Sequence, residues 1–168
     1  MILDHIFVVT LIFATMTTTL VTGILFTFAL LVMPGTGKLQ DREFLRAFRE
    51  MDGIIQRSHP VFITVWAGSN AALLAAVILA FGRLDALPLA LLLASAIVYY
   101  LGVQLPTVIG NIPLNNQIQK LEPGTMDPES LASARRQFER PWNRLNIFRT
   151  CTSLAVSVTL LSVILLSR

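Results

Sequence analysis

The run LPLALLLASAIVYYLGVQLPTVI, Leu87–Ile109, contains no Asp, Glu, Lys or Arg. A helix needs roughly 20 apolar residues to cross a hydrocarbon core, so this run is long enough to span a bilayer. Outward from it lie three runs of the same character, Ile6–Met33, Val61–Phe81 and Ile147–Leu166. With 54% hydrophobic and 14% charged residues and a mean hydropathy of +0.68, the chain reads as an integral membrane protein. The first run is expected to be a retained span rather than a signal peptide. Asp4-His5 stands where a basic segment would precede it, the run is too long, and no small-x-small cleavage site follows. The expected fold is all-α, a four-helix transmembrane bundle forming one domain over residues 1–168, with two long connections, Pro34–Pro60 and Gly110–Asn146, on one side.

The cations set the expected orientation. Lys38, Arg42, Arg46, Arg49 and Arg57 lie in the first connection and Lys120, Arg135, Arg136, Arg140 and Arg144 in the second, against only Arg83 and Arg168 on the other side. By the positive-inside rule the connections face the cytoplasm and both termini face out, across a plasma (inner) membrane. The net charge of +3 is then a matter of topology. No basic patch interleaved with aromatic residues points to nucleic acid. The single cysteine, Cys151, reads as a packing residue, and no CxxC, HExxH, Walker or Rossmann pattern is present.

Both connections carry amphipathic helices, expected at about 41–58 and 128–140. In the first, with Asp41 as N-cap, a 100° period gathers Phe44, Leu45, Phe48, Ile55 and His59 on one face and the charged side chains on the other. Asp52, with Gln56 beside it, breaks that sorting. It reads either as an acid reaching back to water or capping a bend at Gly53, or as a buried carboxylate with a partner and a task. The second connection opens with Asn111, Asn115 and Asn116 around Pro113, amides that either cap helix ends or face a site. Asp127-Pro128 supplies an N-cap and first residue for the next helix, which Pro141 is expected to bend or interrupt.

Beyond Pro141, Trp142, Asn146 and Arg149 have i, i+4, i+7 spacing, and Asn143, Asn146 and Thr150 have i, i+3, i+7 spacing. This polar stripe enters the last span. Snorkelling explains a lone Arg149 but not its hydrogen-bonding neighbours. A polar pocket between helix ends, roofed by the connection helices, would satisfy Asp52, Asn111, Asn115, Trp142, Asn146 and Arg149 together. Small residues also repeat every four positions in AGSNAALLAA, Ala67–Ala76, a pattern that lets helices approach, within the chain or between copies; a homo-oligomer remains open.

Four motifs occur in order: VMPG (Val32–Gly35), MDGIIQRSHPVF (Met51–Phe62), PLNNQI (Pro113–Ile118) and FERPWNRLNIFRT (Phe138–Thr150). Together they resemble the small four-helix membrane family that includes the fungal anthrone oxygenases, over nearly the whole chain. The resemblance implies oxidation of a hydrophobic aromatic anthrone to an anthraquinone by O₂, without a conventional redox cofactor. His59 departs from the pattern, since an amide is expected before that proline.

The chemistry itself asks for little. Deprotonating an activated aromatic methylene gives a carbanion able to reduce O₂, so a base, oxyanion donors and a dry pocket suffice. Asp52 or His59 could be the base. Arg149, Gln56, Asn111, Asn115, Asn116, Trp142, Asn143 and Asn146 could donate to the oxyanion or hold the substrate. No metal ligand set is evident, because His5 and His59 fall on opposite sides; haem ligation by His59 alone remains open. The competing class is a small-molecule carrier or an accessory membrane subunit. Against transport, no ionisable residue sits mid-span and no span is visibly broken at its centre.

Overall fold

The computed structural model describes residues 2–167; Arg168, counted above among the far-side cations, lies outside them. The described residues form helices and turns, with no strand. Helix α1 runs Ile2–Thr36, α2 Asp41–Gln56, α3 Pro60–Ala80, α4 Ala86–Gln119 and α5 Pro128–Leu166. All but α2 are long and apolar enough to cross a membrane, as befits an integral membrane protein. Short π-helical stretches interrupt α1 at Phe28–Val32 and α4 at Tyr100–Gln104 and Thr107–Asn111.

Several helix ends differ from the sequence reading. Helix α4 continues past its apolar run to Gln119, and residues 128–140 are the start of α5 rather than a separate helix. Pro141 lies inside α5, which carries on across it. A proline removes one backbone donor, and the remaining ladder of so long a helix holds through that gap. The second connection therefore shrinks to residues 120–127. There Asp127 caps α5, accepting from Ser130 N at 2.9 Å and Ser130 Oγ at 2.7 Å. The Ser130 backbone N–H, with its hydroxyl, holds the Asp127 carboxyl below the usual carboxylate range. Gln40 takes the N-cap position of α2 without a side-chain capping bond, so Asp41 is the first helical residue rather than the N-cap, well placed with Glu43 against the positive end of the helix dipole.

Helix α1 packs along α3 and α5, and α5 packs along α4, whereas α3 and α4 touch much less. Two hydrogen bonds join that last pair: Ser69 Oγ with Tyr99 Oη, and Tyr100 Oη donating to Asn70 O, both at 2.8 Å. Leu11, Val21, Leu73, Ala76, Leu92, Tyr99 and Leu160 are fully enclosed in the core. Ile78, Ile97, Leu101 and Val158 point outward, as side chains that meet lipid tails should. The small-residue repeat serves packing within the chain: Ala72 and Ala76 are buried, and Gly68 lies against Phe13 and Thr17 of α1. Glycine also sets the α4–α5 distance. A Cβ on Gly102 would collide with Thr152 Cγ2, and one on Gly110 would meet Leu145 Cδ1 at 2.6 Å.

Helix α2 lies over one end of the bundle, held by an aromatic cluster and by arginines. Phe48 packs against Phe138 and Trp142 with ring centroids 4.4 and 5.4 Å apart. Arg135 sits over the Phe44 ring at 4.4 Å and donates to Gly37 O, Leu39 O and Asp41. From the charged face of α2, Arg42 donates to the carbonyls of Pro123, Gly124 and Met126, and Arg49 to Leu121 O and Glu122. These bonds tie α2 to the turn between α4 and α5.

Candidate functional site

Beyond the Ser69–Tyr99 bond, α3 and α4 part, and a cavity of about 270 Å³ fills the space beneath α2. Every helix contributes to its wall. Ile24, Leu25 and Phe28 come from α1, Phe48 and Ile55 from α2, Phe62, Ile63 and Trp66 from α3, and Ile112 from α4. Into this apolar wall are set the polar side chains Asp52, Thr107, Asn111, Asn115 and Asn146, the Trp142 indole, and one cation, Arg149.

Asp52 is only 3% exposed, and the structure therefore favours the buried-carboxylate reading. The period that puts Phe44, Leu45 and Phe48 inward puts Asp52 inward one turn later, where three amides meet it. Asn115 Nδ2 donates to Oδ1 at 2.8 Å, Gln119 Nε2 to Oδ2 at 2.7 Å, and Gln56 Nε2 to Oδ2 at 3.3 Å. Gln56 also donates to Asn116 Oδ1 at 3.1 Å, and Asn115 Oδ1 accepts the Trp142 indole N–H at 2.8 Å. A carboxylate offers about four acceptor positions. The one left without a protein donor is therefore on Oδ1, the oxygen that receives a single bond.

The other polar end is built by α4 and α5. Arg149, 4% exposed, donates to Thr107 Oγ1 at 2.8 Å and to Asn146 Oδ1 at 3.0 Å. Asn146 Nδ2 in turn donates to Leu25 O at 3.1 Å, pinning the stripe to α1. Trp142, Asn146 and Arg149 thus share one face and one cavity, as their spacing predicts. Seven residues of rise separate the first from the last, about 10 Å. Asp52 and Arg149 line the same cavity yet form no ion pair, since their charged atoms are more than 4 Å apart.

The remaining candidates fall elsewhere. His59 is exposed at the N-cap of α3 and does not line the cavity. The α2 period does not reach it because that helix ends at Gln56 and the chain turns at Ser58, with φ 58°. Gln56 and Asn116 are exposed and support Asp52 from outside. Asn143 lines a second cleft, shared with Asn146, Lys38 and Glu139. Thr150 is buried but spends its hydroxyl on Asn146 O at 2.7 Å. Gln119 and Thr107 escaped the sequence reading, although Gln119 stands one turn beyond Asn115 on the same face. Among the described residues, His, Cys, Asp and Glu form no group of three or more able to hold a metal ion.

No curated protein and no solved structure matches the chain. The family model of the anthrone oxygenases matches residues 51–159. That segment carries both polar ends of the cavity, from Asp52 to Arg149, and with it the chain belongs to the anthrone oxygenase family.

Proposed function

We propose that the protein oxidises a hydrophobic aromatic molecule bearing an activated methylene, using O₂ and no added redox cofactor, with Asp52 as the base. The observation that carries this reading is a buried carboxylate that lines a largely aromatic and aliphatic cavity and keeps one acceptor position without a protein donor. Asp52 takes one proton from the methylene, and the electron pair of that C–H bond remains on the substrate as a carbanion delocalised onto the ring carbonyl as an enolate. The enolate reduces O₂. One oxygen stays on the carbon as a new carbonyl, and the other leaves as water with the two methylene hydrogens. CH₂ plus O₂ thus gives C=O plus H₂O, and no external reductant is needed. Fixed amides around the carboxylate would keep its free lone pair aimed while the aromatic wall excludes water. On the same reading the α2 end faces the cytoplasm, because the cations of residues 38–57 and 120–144 gather there.

The test is O₂ uptake and quinone absorbance with anthrone and purified protein in detergent. Turnover is expected above spontaneous oxidation, without NAD(P)H, flavin or metal, and Asp52→Asn is expected to lower it about 10²–10⁴-fold. If Asp52→Asn stays fully active while His59→Gln is dead, the base is His59. If anthrone binds saturably but is never oxidised, a carrier or accessory role replaces the enzyme.

A further inference from the structure

Proton removal uses the Asp52 end of the cavity. The other end holds a buried cation that this step does not require. Both acceptors of Arg149, Thr107 Oγ1 and Asn146 Oδ1, are neutral, and its Nε has no protein partner. Among the described residues no carboxylate oxygen lies within 4 Å of the guanidinium. A charge withdrawn from water without a counter-charge is costly, and such a group persists where something neutralises it or uses it. A second unfilled group lies in the same wall. Asn111, 3% exposed, has a buried Oδ1 with no donor. A cation without a protein anion and an acceptor without a protein donor, on two residues that line one aromatic cavity, suit a ligand that carries both an anionic oxygen and a donor.

We propose that Arg149 is an anion subsite, and that the cavity takes a planar aromatic ligand bearing an acidic oxygen held by Arg149, with a donor group of the ligand reaching Asn111 Oδ1. The anion is a phenolate or enolate, or else a carboxylate. Its charge does not conflict with Asp52, the other charged residue in the wall. The oxygens of Asp52 are held by Asn115, Gln119 and Gln56, and it is joined through Asn115 to the Trp142 end of the stripe. Nothing else lining the cavity titrates: α1 presents Ile24, Leu25 and Phe28, α3 presents Phe62, Ile63 and Trp66, and α4 presents Thr107, Asn111, Ile112 and Asn115. Entry from the bilayer suits such a ligand, since Ile63 of α3 and Ile112 of α4 line the cavity and are also 44% and 42% exposed on the bundle surface. The assignment rests on the same site as the proposed oxidation, naming its substrate class, but binding and turnover are read separately.

The full chain in neutral detergent is titrated with 2-hydroxyanthraquinone, whose colour reports ionisation, and with 2-methoxyanthraquinone and anthraquinone-2-carboxylate. Both tryptophans of the chain, Trp66 and Trp142, line the cavity, so quenching of their emission measures occupancy. The wild-type protein is expected to ionise the bound phenol about one pH unit below its value in empty micelles, equivalent to about tenfold tighter binding of the anion. Arg149→Met should abolish the shift and Arg149→Lys retain part of it. The wild-type titration decides the matter even if Arg149→Met does not fold. Tight binding of the carboxylate without a phenol shift identifies a carboxylate ligand, whereas the phenol shift identifies a phenolate or enolate. Equal affinity for the methoxy compound, with no carboxylate preference, overturns the subsite. Oxygen uptake without anion preference would remove the subsite and leave the reaction; anion preference without oxygen uptake would do the reverse.

Discussion

Trp142 donates its indole N–H to Asn115 Oδ1 at 2.8 Å, and that same amide donates from Nδ2 to Asp52 at 2.8 Å. The tryptophan thereby fixes which way the asparagine faces, and with it which atom reaches the carboxylate. Trp142→Phe keeps most of the ring in the Phe28 and Phe48 cluster but loses the donor. It is expected to cost about 1 kcal/mol in the wild-type background and much less beside Asn115→Ala, where the acceptor is already gone. Thermal unfolding of the four proteins in detergent measures this coupling, and additive costs would break the relay.

Gly110→Ala and Gly102→Ala should each crowd the α4–α5 contact, because the added methyl would collide with the Leu145 or Thr152 side chain, which must then shift. The expected loss is about 1–3 kcal/mol apiece. Gly110→Ala should also weaken binding of any cavity ligand, since Thr107 and Asn111 flank it while their partners Arg149 and Trp142 are on α5. A Gly110→Ala protein of unchanged melting temperature would mean that Leu145 swings aside at no cost and that this glycine is not needed for the α4–α5 contact.

Removing both arginine clamps, Arg42→Ala with Arg49→Ala, is expected to free α2 more than the bundle beneath it. Hydrogen exchange across residues 41–56 should speed up at least tenfold, with the protected amides of α1 and α5 little changed. Uniform exchange changes throughout the chain would mean that α2 does not open as a unit.

Orientation has its own measurement. In a Cys151→Ser background, Thr125→Cys should resist a membrane-impermeant thiol reagent in intact cells and Ser167→Cys should react. Labelling in the opposite pattern would put the α2 end outside.

Much of this was legible in the chain itself. The apolar runs locate the spans because lipid imposes a length and requires the backbone polar groups to pair within the helix. The spacing of Trp142, Asn146 and Arg149 placed them on one face, and the phase of Phe44, Leu45 and Phe48 singled out Asp52. Helix ends were harder to read, because hydropathy reports the membrane boundary while α4 continues for another ten residues, 110–119, to meet α2. Periodicity also carried His59 onto a face that the helix no longer reaches. The i, i+3 spacing groups Asn143 with Asn146, yet Asn146 lines the cavity beneath α2 and Asn143 does not. Sequence spacing gives direction around one helix and is silent about which neighbour stands there.

The π-helical stretches of α4 have a consequence for how such a chain can change over time. Each wide turn holds one residue more than an α-turn, so the helix beyond it is rotated by about 100° relative to an uninterrupted α-helix. Two of them lie between Tyr99, which meets Ser69, and Asn115, which meets Asp52. Loss of a single residue there, such as Val108, would leave the apolar profile of the span almost untouched while turning Asn115 and Gln119 away from the carboxylate. In α4 the number of residues is itself information, and a one-codon deletion could erase the interior while preserving everything a hydropathy plot records.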